Sequence, residues 1–185
     1  MDYWEIIWND FKNGSSHAFE KIYYKYIDVL YRYGSKITHD KDIVKDCIQQ
    51  LFLELYSSRK NLANPKNLEF YLLKALKRII IHRINNDMKQ GHLPGTDSFA
   101  FNVEFDFDDE ISKSERQESK MQLLKDVLHS LSSKKKELLF LKFYSELKND
   151  QIASMLDMKP ATVQKQIYRI LTQLQVKFQG RFMES

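Results

Sequence analysis

Residues Asp150–Leu171 read DQIASMLDMKPATVQKQIYRIL, and the fold is decided in this stretch. Ile152, Leu156, Met158, Val163 and Ile167 fall where two short crossing helices need apolar contacts, and Ala153 sits where only a small side chain fits between them. Asp157 occupies the turn. A tight turn there needs positive φ, which glycine adopts freely and Asp tolerates better than most residues. Pro160 suits the first turn of the second helix, where its missing N–H would have no partner anyway. The pattern has the form of a helix-turn-helix. Its second helix is expected to expose Lys159, Thr162, Gln164, Lys165 and Arg169. The positive dipole end and these donors suit a DNA major groove: glutamine can bond adenine with two hydrogen bonds, and lysine can reach guanine or phosphate. A plain helical hairpin with a solvated charged face shares the periodicity but does not need this spacing of Ala153, turn and Val163.

Outward from this stretch the chain reads as helix throughout. It has 185 residues with only five glycines and three prolines, and 43% of it is apolar. Few breakers and long spans without turn signals favour an all-α protein. Before the helix-turn-helix, one helix is predicted over 119–131. A second starts after Ser132 or Ser133 and carries Leu138, Leu139, Leu141 and Phe143. The two helices of the motif itself cover 148–156 and 160–178. Four helices are predicted nearer the N-terminus. The first covers 2–13 and stops at Gly14. The second covers 17–37, is capped by Ser15 or Ser16, and has Phe19, Ile22, Tyr23, Tyr26, Ile27 and Leu30 on its apolar side. The third covers 41–56, with Asp40 as cap and Ile43, Val44, Cys47, Leu51 and Leu55 as its stripe. The fourth covers 68–85, with Asn67 as cap and Leu72, Leu73, Leu76, Ile80 and Ile84 as its stripe.

Charge divides the chain in three. Residues 1–85 hold 14 Lys and Arg against 10 Asp and Glu, residues 86–118 hold 3 against 9, and residues 119–185 hold 12 against 6. The acidic block also loses helical periodicity and concentrates Gly and Pro. It is read as a linker over 86–118 joining small helical domains over 1–85 and 119–185. Phe99, Phe101, Phe105 and Phe107 lie in it, and a solvated tether has no use for four phenylalanines. Part of the linker is therefore expected to dock, on the protein itself or on a partner.

The single cysteine, Cys47, permits neither an internal disulfide nor a cysteine-based zinc site. No apolar run is long enough for a membrane span, and the first residues do not read as a signal peptide, so a cytoplasmic protein without membrane insertion is expected. His17, His39, His82, His92 and His129 are scattered, with no i, i+4 pair. No Gly-rich phosphate loop, nucleophile elbow or paired-carboxylate site stands out. The expectation is a protein that is not an enzyme and has no metal or cofactor.

Two further patterns lie in the N-terminal half. In KDIVKDCIQQLFLELY, Asp46, Gln49 and Gln50 stand at i, i+3 and i+4 and share one face with Leu53 nearby. Such a stripe suits docking on another protein's helix, and it equally describes a solvated face. In EFYLLKALKRIIIHRINN, Lys74, Arg78 and His82 form an i, i+4, i+8 stripe, with Lys77 and Arg83 adding charge and Phe70 and Tyr71 at one end. Cations for phosphate beside rings for stacking are what unpaired DNA needs. A helix with one apolar face and one basic face has the same composition.

The order of these blocks, from AFEKIYYKYIDVLYRYGSKIT through DKDIVKDCIQQLFLELY and NLEFYLLKALKRIIIHRI to LLKDVLHSLSSKKKELLFLKFYSELKNDQIASMLDMKPATVQKQIYRIL, resembles the extracytoplasmic-function sigma factors of the sigma-70 family. The resemblance implies a region 2 bundle, an acidic linker and a region 4 helix-turn-helix. It implies that Asp46, Gln49, Gln50, Phe52 and Leu53 bind the β′ clamp helices of core RNA polymerase. Phe70, Tyr71, Lys74, Lys77, Arg78 and Arg83 would open and read the −10 element, and Lys159, Thr162, Gln164, Lys165 and Arg169 the −35 element, with the β flap as a further contact of this domain. It also implies a linker threading toward the polymerase cleft and an anti-sigma factor as a further partner. Asp157 departs from the usual turn glycine, Tyr56 from a frequent Trp, and the loop SSRKNLANPK (57–66) is generic, which leaves the promoter sequence open. The helix-turn-helix alone also fits a conventional regulator that binds an operator without polymerase.

Overall fold

Polar caps start three of the first four helices. Ser15 Oγ accepts from the Ala18 N–H at 3.2 Å, Asp40 Oδ1 from those of Asp42 and Ile43 at 3.0 Å each, and Asn67 Oδ1 from that of Phe70 at 2.9 Å. In the computed structural model, which describes residues 3–89, 101 and 115–182, these helices are α1 (Tyr3–Lys12), α2 (Ser16–Ile37), α3 (Lys41–Ser58) and α4 (Leu68–Lys89). Gly14 closes α1 at φ 97°, a left-handed conformation that glycine adopts without steric cost. The chain divides into two compact units, Met1–Ala100 and Phe101–Ser185.

The first unit packs α2, α3 and α4 against one another, with α1 laid on α2. Its centre is filled by Phe11, Ile22, Leu30, Tyr33, Val44 and the stripe Leu72, Leu73, Leu76, Ile80, Ile84, all buried. The helices approach closely at Gly34, where an added Cβ would stand 2.8 Å from Val44 Cγ1 and 3.2 Å from Ile80 Cδ1. Beyond its expected end at residue 85, α4 runs on to Lys89. The apolar stripe stops at Ile84, but an Arg83–Asp87 ion pair of 3.1 Å and an Asn86–His82 contact, both at i, i+4, carry the helix further.

The second unit holds α5 (Glu115–His129), α6 (Ser133–Leu139), α7 (Asn149–Leu156) and α8 (Pro160–Phe182). Helix α5 begins before the expected residue 119. Leu123, Val127, Leu131, Leu138, Leu141, Leu147, Ile152, Val163 and Ile170 make its core. Of the apolar residues that the second helix of this unit carries, Phe143 lies outside, 57% exposed. Its helix widens into a π turn over Phe140–Tyr144, where the Ser145 N–H bonds the Phe140 carbonyl at 3.2 Å. The widened turn breaks the 3.6-residue period and swings Phe143 to solvent. Of the four linker phenylalanines, Phe101 is described, and it docks on this unit; Phe99, Phe105 and Phe107 lie outside the described residues.

Candidate nucleic-acid interface and docking groove

In the second unit, α7 and α8 form the expected helix-turn-helix. Asp157 stands between them at φ 52° and ψ 58°, and its N–H and that of Met158 both bond the Ala153 carbonyl. Those two bonds cap α7 with a left-handed residue, so the turn requires the conformation that glycine usually supplies. Gln151 Oε1 accepts from the Lys148 N–H at 2.9 Å, fixing the start of α7. Ile152, Ala153, Leu156, Val163 and Ile167 are buried between the helices and Met158 is half-buried. The Thr162 and Val163 N–H groups bond the Lys159 carbonyl, so the chain enters α8 at Lys159. Lys159, Thr162, Gln164, Lys165 and Arg169 are all exposed. Tyr168, which sequence reasoning passed over, is 71% exposed beside Arg169. Its position after the apolar Ile167 hid it, since a single residue of register turns a side chain by about 100°.

On α4, Lys74, Arg78 and His82 are exposed along one stripe, as the spacing requires. Lys74 Nζ sits 5.6 Å from the Phe70 ring centroid, and the Tyr71 ring meets Trp8 edge-on at 6.2 Å. Lys77 is half-buried. Arg83 belongs elsewhere: nine residues beyond Lys74, it stands about 180° around the helix and pairs with Asp87. Its charge acts on Cys47 of α3, and there burial pushes the thiol up to about 11, with Asp46 and Asp87 adding to the rise and Arg83 opposing it.

The loop before α4 adds residues that the sequence did not single out. The Trp8 indole N–H donates to the Ala63 carbonyl at 3.2 Å, Lys12 Nζ reaches Asn64 Oδ1 at 3.2 Å, and Asn64 bonds Asn9 at 3.4 Å. Helix α1 thus holds this loop against the start of α4. Between them lies a pocket of about 490 Å³ lined by Trp4, Trp8, Asn9, Asn64, Lys66 and Asn67, among others. Rings and amides together could grip a single base. Only a folded loop brings these residues together, so no local motif announces them.

On α3, Asp46, Gln49, Gln50 and Leu53 are exposed, Leu53 by 61%, and Gln50 donates to Glu54 at 2.8 Å. Phe52, next to that stripe in sequence, is buried at 4% exposure. It meets Tyr23 at 4.9 Å and Phe19 at 6.0 Å and floors an open groove between α2 and α3. The groove measures about 730 Å³ and is walled by Phe19, Tyr23, Ile27, Tyr31 and Leu53. The sequence puts Phe19, Tyr23 and Ile27 on the apolar side of α2. The six residues assigned to that apolar side are two stripes: Ile22, Tyr26 and Leu30 face inward, and Phe19, Tyr23 and Ile27 line the groove. The breadth of the apolar arc on α2 was the available signal.

Among the described residues, no group of His, Cys, Asp and Glu could hold a metal ion, and no helix is long and apolar enough to cross a membrane.

A helix-turn-helix with an exposed polar second helix is the arrangement with which many proteins read duplex DNA. Residues 121–174 match the family sigma-70, region 4. The chain is similar in fold to CnrH, solved in complex with the cytosolic domain of CnrY, at 13% identity over 97% of this chain and 99% of that chain, with a TM-score of 0.60. It is similar to the sigma factor RpoE of Bartonella quintana, solved in complex with the anti-sigma factor NepR, at 14% identity over 87% and 96%, with a TM-score of 0.56. A search of curated proteins gives no match. The family match thus covers the helix-turn-helix unit, and the likeness in fold to these two structures extends over nearly the whole chain.

Proposed function

We propose that this chain is a sigma factor that joins core RNA polymerase through the α2–α3 groove and its Asp46–Leu53 rim, and carries it to promoters with paired −10 and −35 elements. The observation that carries the reading is the exposed face of α8, which lies within the match to sigma-70 region 4. Gln164 and Lys165 would read duplex bases at −35 while Lys159 and Arg169 hold phosphates and set register. Phe70, Lys74 and Arg78 would meet the opened −10 strand, and the pocket under α1 would take one unstacked base. Capturing that base offsets part of the few kcal/mol lost on unstacking. Arg83, paired with Asp87 about 180° around α4 from Lys74, would meet DNA only from the flank of that stripe. Units over 1–85 and 119–185 with an acidic linker between remain the working division, widened by the helix ends described above.

The reaction needs no catalytic group, metal or cofactor in this chain, because polymerase supplies the chemistry in the cytoplasm. The apolar groove also suits an amphipathic helix of an anti-sigma factor, in line with the complexes of CnrH and RpoE. The test is a binding titration of core polymerase against wild type, Gln49→Ala and Leu53→Asp. Expected is tight binding by wild type and loss of tenfold or more, by estimate, in Leu53→Asp, one poorly solvated contact being worth about 1.4 kcal/mol or more. Equal binding by all three, or binding by none, would contradict the assignment.

A further inference from the structure

The start of α1 and the first turns of α2 bring rings and cations together on one surface. Lys21 and Lys25 stand one helical turn apart on α2, and each lies over a different ring of α1. Lys21 Nζ is 5.8 Å from the centroid of the Tyr3 ring and 3.3 Å from its hydroxyl, and Lys25 Nζ is 5.9 Å from the centroid of Trp4. The Tyr3 and Trp4 rings meet edge-on at 5.3 Å. Tyr3 is 53% exposed and Lys25 is exposed, while Trp4 and Lys21 are half-buried. This surface adjoins the pocket under α1, because Trp4 also lines that pocket. The bonds of Trp8 to Ala63 and of Lys12 to Asn64 fix α1 on the loop that walls the pocket, so both belong to one surface of the first unit.

We propose that Tyr3, Trp4, Lys21 and Lys25 form a single-strand subsite beside the pocket, which takes the unpaired nucleotides adjoining the base held there. This rests on the reading of that pocket as a base site. Rings stack on bases of any sequence, and cations beside them meet the phosphates between those bases. Two cation–ring pairs, one helical turn apart, suit successive nucleotides of one strand. An acidic peptide would use the lysines, but it has no need of an exposed tyrosine and a tryptophan continuous with a base-sized pocket. Unpaired DNA is therefore the occupant that this surface fits. The subsite holds the strand without reading it, so it adds affinity for opened DNA and leaves promoter choice to other residues.

The full chain carries the test, with its own two tryptophans, Trp4 and Trp8, as the probe. Both lie in the first unit, so stacking is read there and not on α8. Their fluorescence is titrated at low salt with a random pool of single-stranded DNA of about ten nucleotides, alone and against duplex DNA or polyglutamate as competitor. Expected is quenching that Trp4→Phe largely removes, since Trp8 is buried at 3% exposure. Lys21→Ala with Lys25→Ala should weaken binding about tenfold and lower the slope of log affinity against log salt by about 1.4, the value for two phosphate contacts on a single strand. Lys21→Arg with Lys25→Arg should restore the slope. Tyr3→Ala should cost about fivefold or more, the low end of what one stacked base contributes. Asn64→Ala probes the pocket by itself. If Asn64→Ala weakens binding and the lysine pair does not, the subsite falls and the pocket stands. If the lysine pair weakens binding and Asn64→Ala does not, the subsite stands and the pocket reading falls. No quenching by the strand, or equal competition by polyglutamate or duplex, overturns the subsite.

Discussion

Replacing Asp157 by glycine should make the C-terminal unit more stable, although it removes a side chain. Asp157 sits at φ 52° and ψ 58°, where an L-residue with a Cβ costs about 1–2 kcal/mol and Asp falls at the low end of that range. Taking relief of about 1 kcal/mol, and subtracting about 0.5 kcal/mol for the looser unfolded chain that glycine confers, leaves a net gain of about 0.5 kcal/mol. For a unit of this size that is a rise in Tm of about 2–4 °C. Asp157→Ala should lose stability relative to wild type, and the β-branched Asp157→Val should lose about 1–2 kcal/mol. Asp157→Asn keeps the tolerance for left-handed backbone while removing the charge, so it should match wild type in Tm and report separately on electrostatics in DNA binding. Calorimetry of the full chain follows the unit's transition. A flat series, or a glycine variant less stable than wild type, would refute the claim that the turn's backbone, and not its side chain, limits this helix-turn-helix.

Gly34→Ala should destabilise the N-terminal unit by about 1 kcal/mol. Overpacking against Val44 and Ile80 at 2.8 and 3.2 Å exceeds the gain in helix propensity. Unfolding of Gly34→Ala with Val44→Ala in a double-mutant cycle should show favourable coupling, because the first methyl fills the space left by the second. The Cys47 thiol should resist alkylation at pH 8 in the folded chain and react quickly once urea unfolds it. Its pKa of about 11 against an ordinary 9 means the folded state holds its proton longer, so stability is full below pH 9 and declines as pH rises from there toward 11. Cys47→Ala should abolish that part of the decline in denaturant titrations. Lys165→Ala should weaken −35 duplex binding. If the contact is to phosphate, the slope of log affinity against log salt drops by about one; Gln164→Ala should change base preference with the slope intact.

Much of the helical plan was legible because caps and stripes are local. Ser15, Asp40 and Asn67 announce their helices through hydrogen bonds spanning two or three residues. The α7–α8 motif was legible down to Asp157, since a positive φ, a small residue and an N-terminal proline are each dictated within a few positions. What depended on distant partners was hidden. Phe52 follows Leu51 in an apolar run, and only the crossing of α2 over α3 decides that it floors a groove while Leu53 lines its rim. The extra turn of α4 comes from polar pairs after the hydrophobic signal ends. The exposure of Phe143 comes from a π turn that no 3.6-residue count contains. Phe101 stood out as a misplaced aromatic, but the ring it meets, Phe140, lies about forty residues away in sequence.

The most direct measurement is in vitro initiation: purified chain with core RNA polymerase on a library of genomic fragments, and mapping of the 5′ ends. The expected result is a discrete set of starts that require the chain, share elements near −10 and −35, and vanish with Lys74→Ala plus Arg78→Ala or with Lys165→Ala. Starts identical with and without the chain, or tight operator binding by the chain alone with no effect on polymerase, would contradict it.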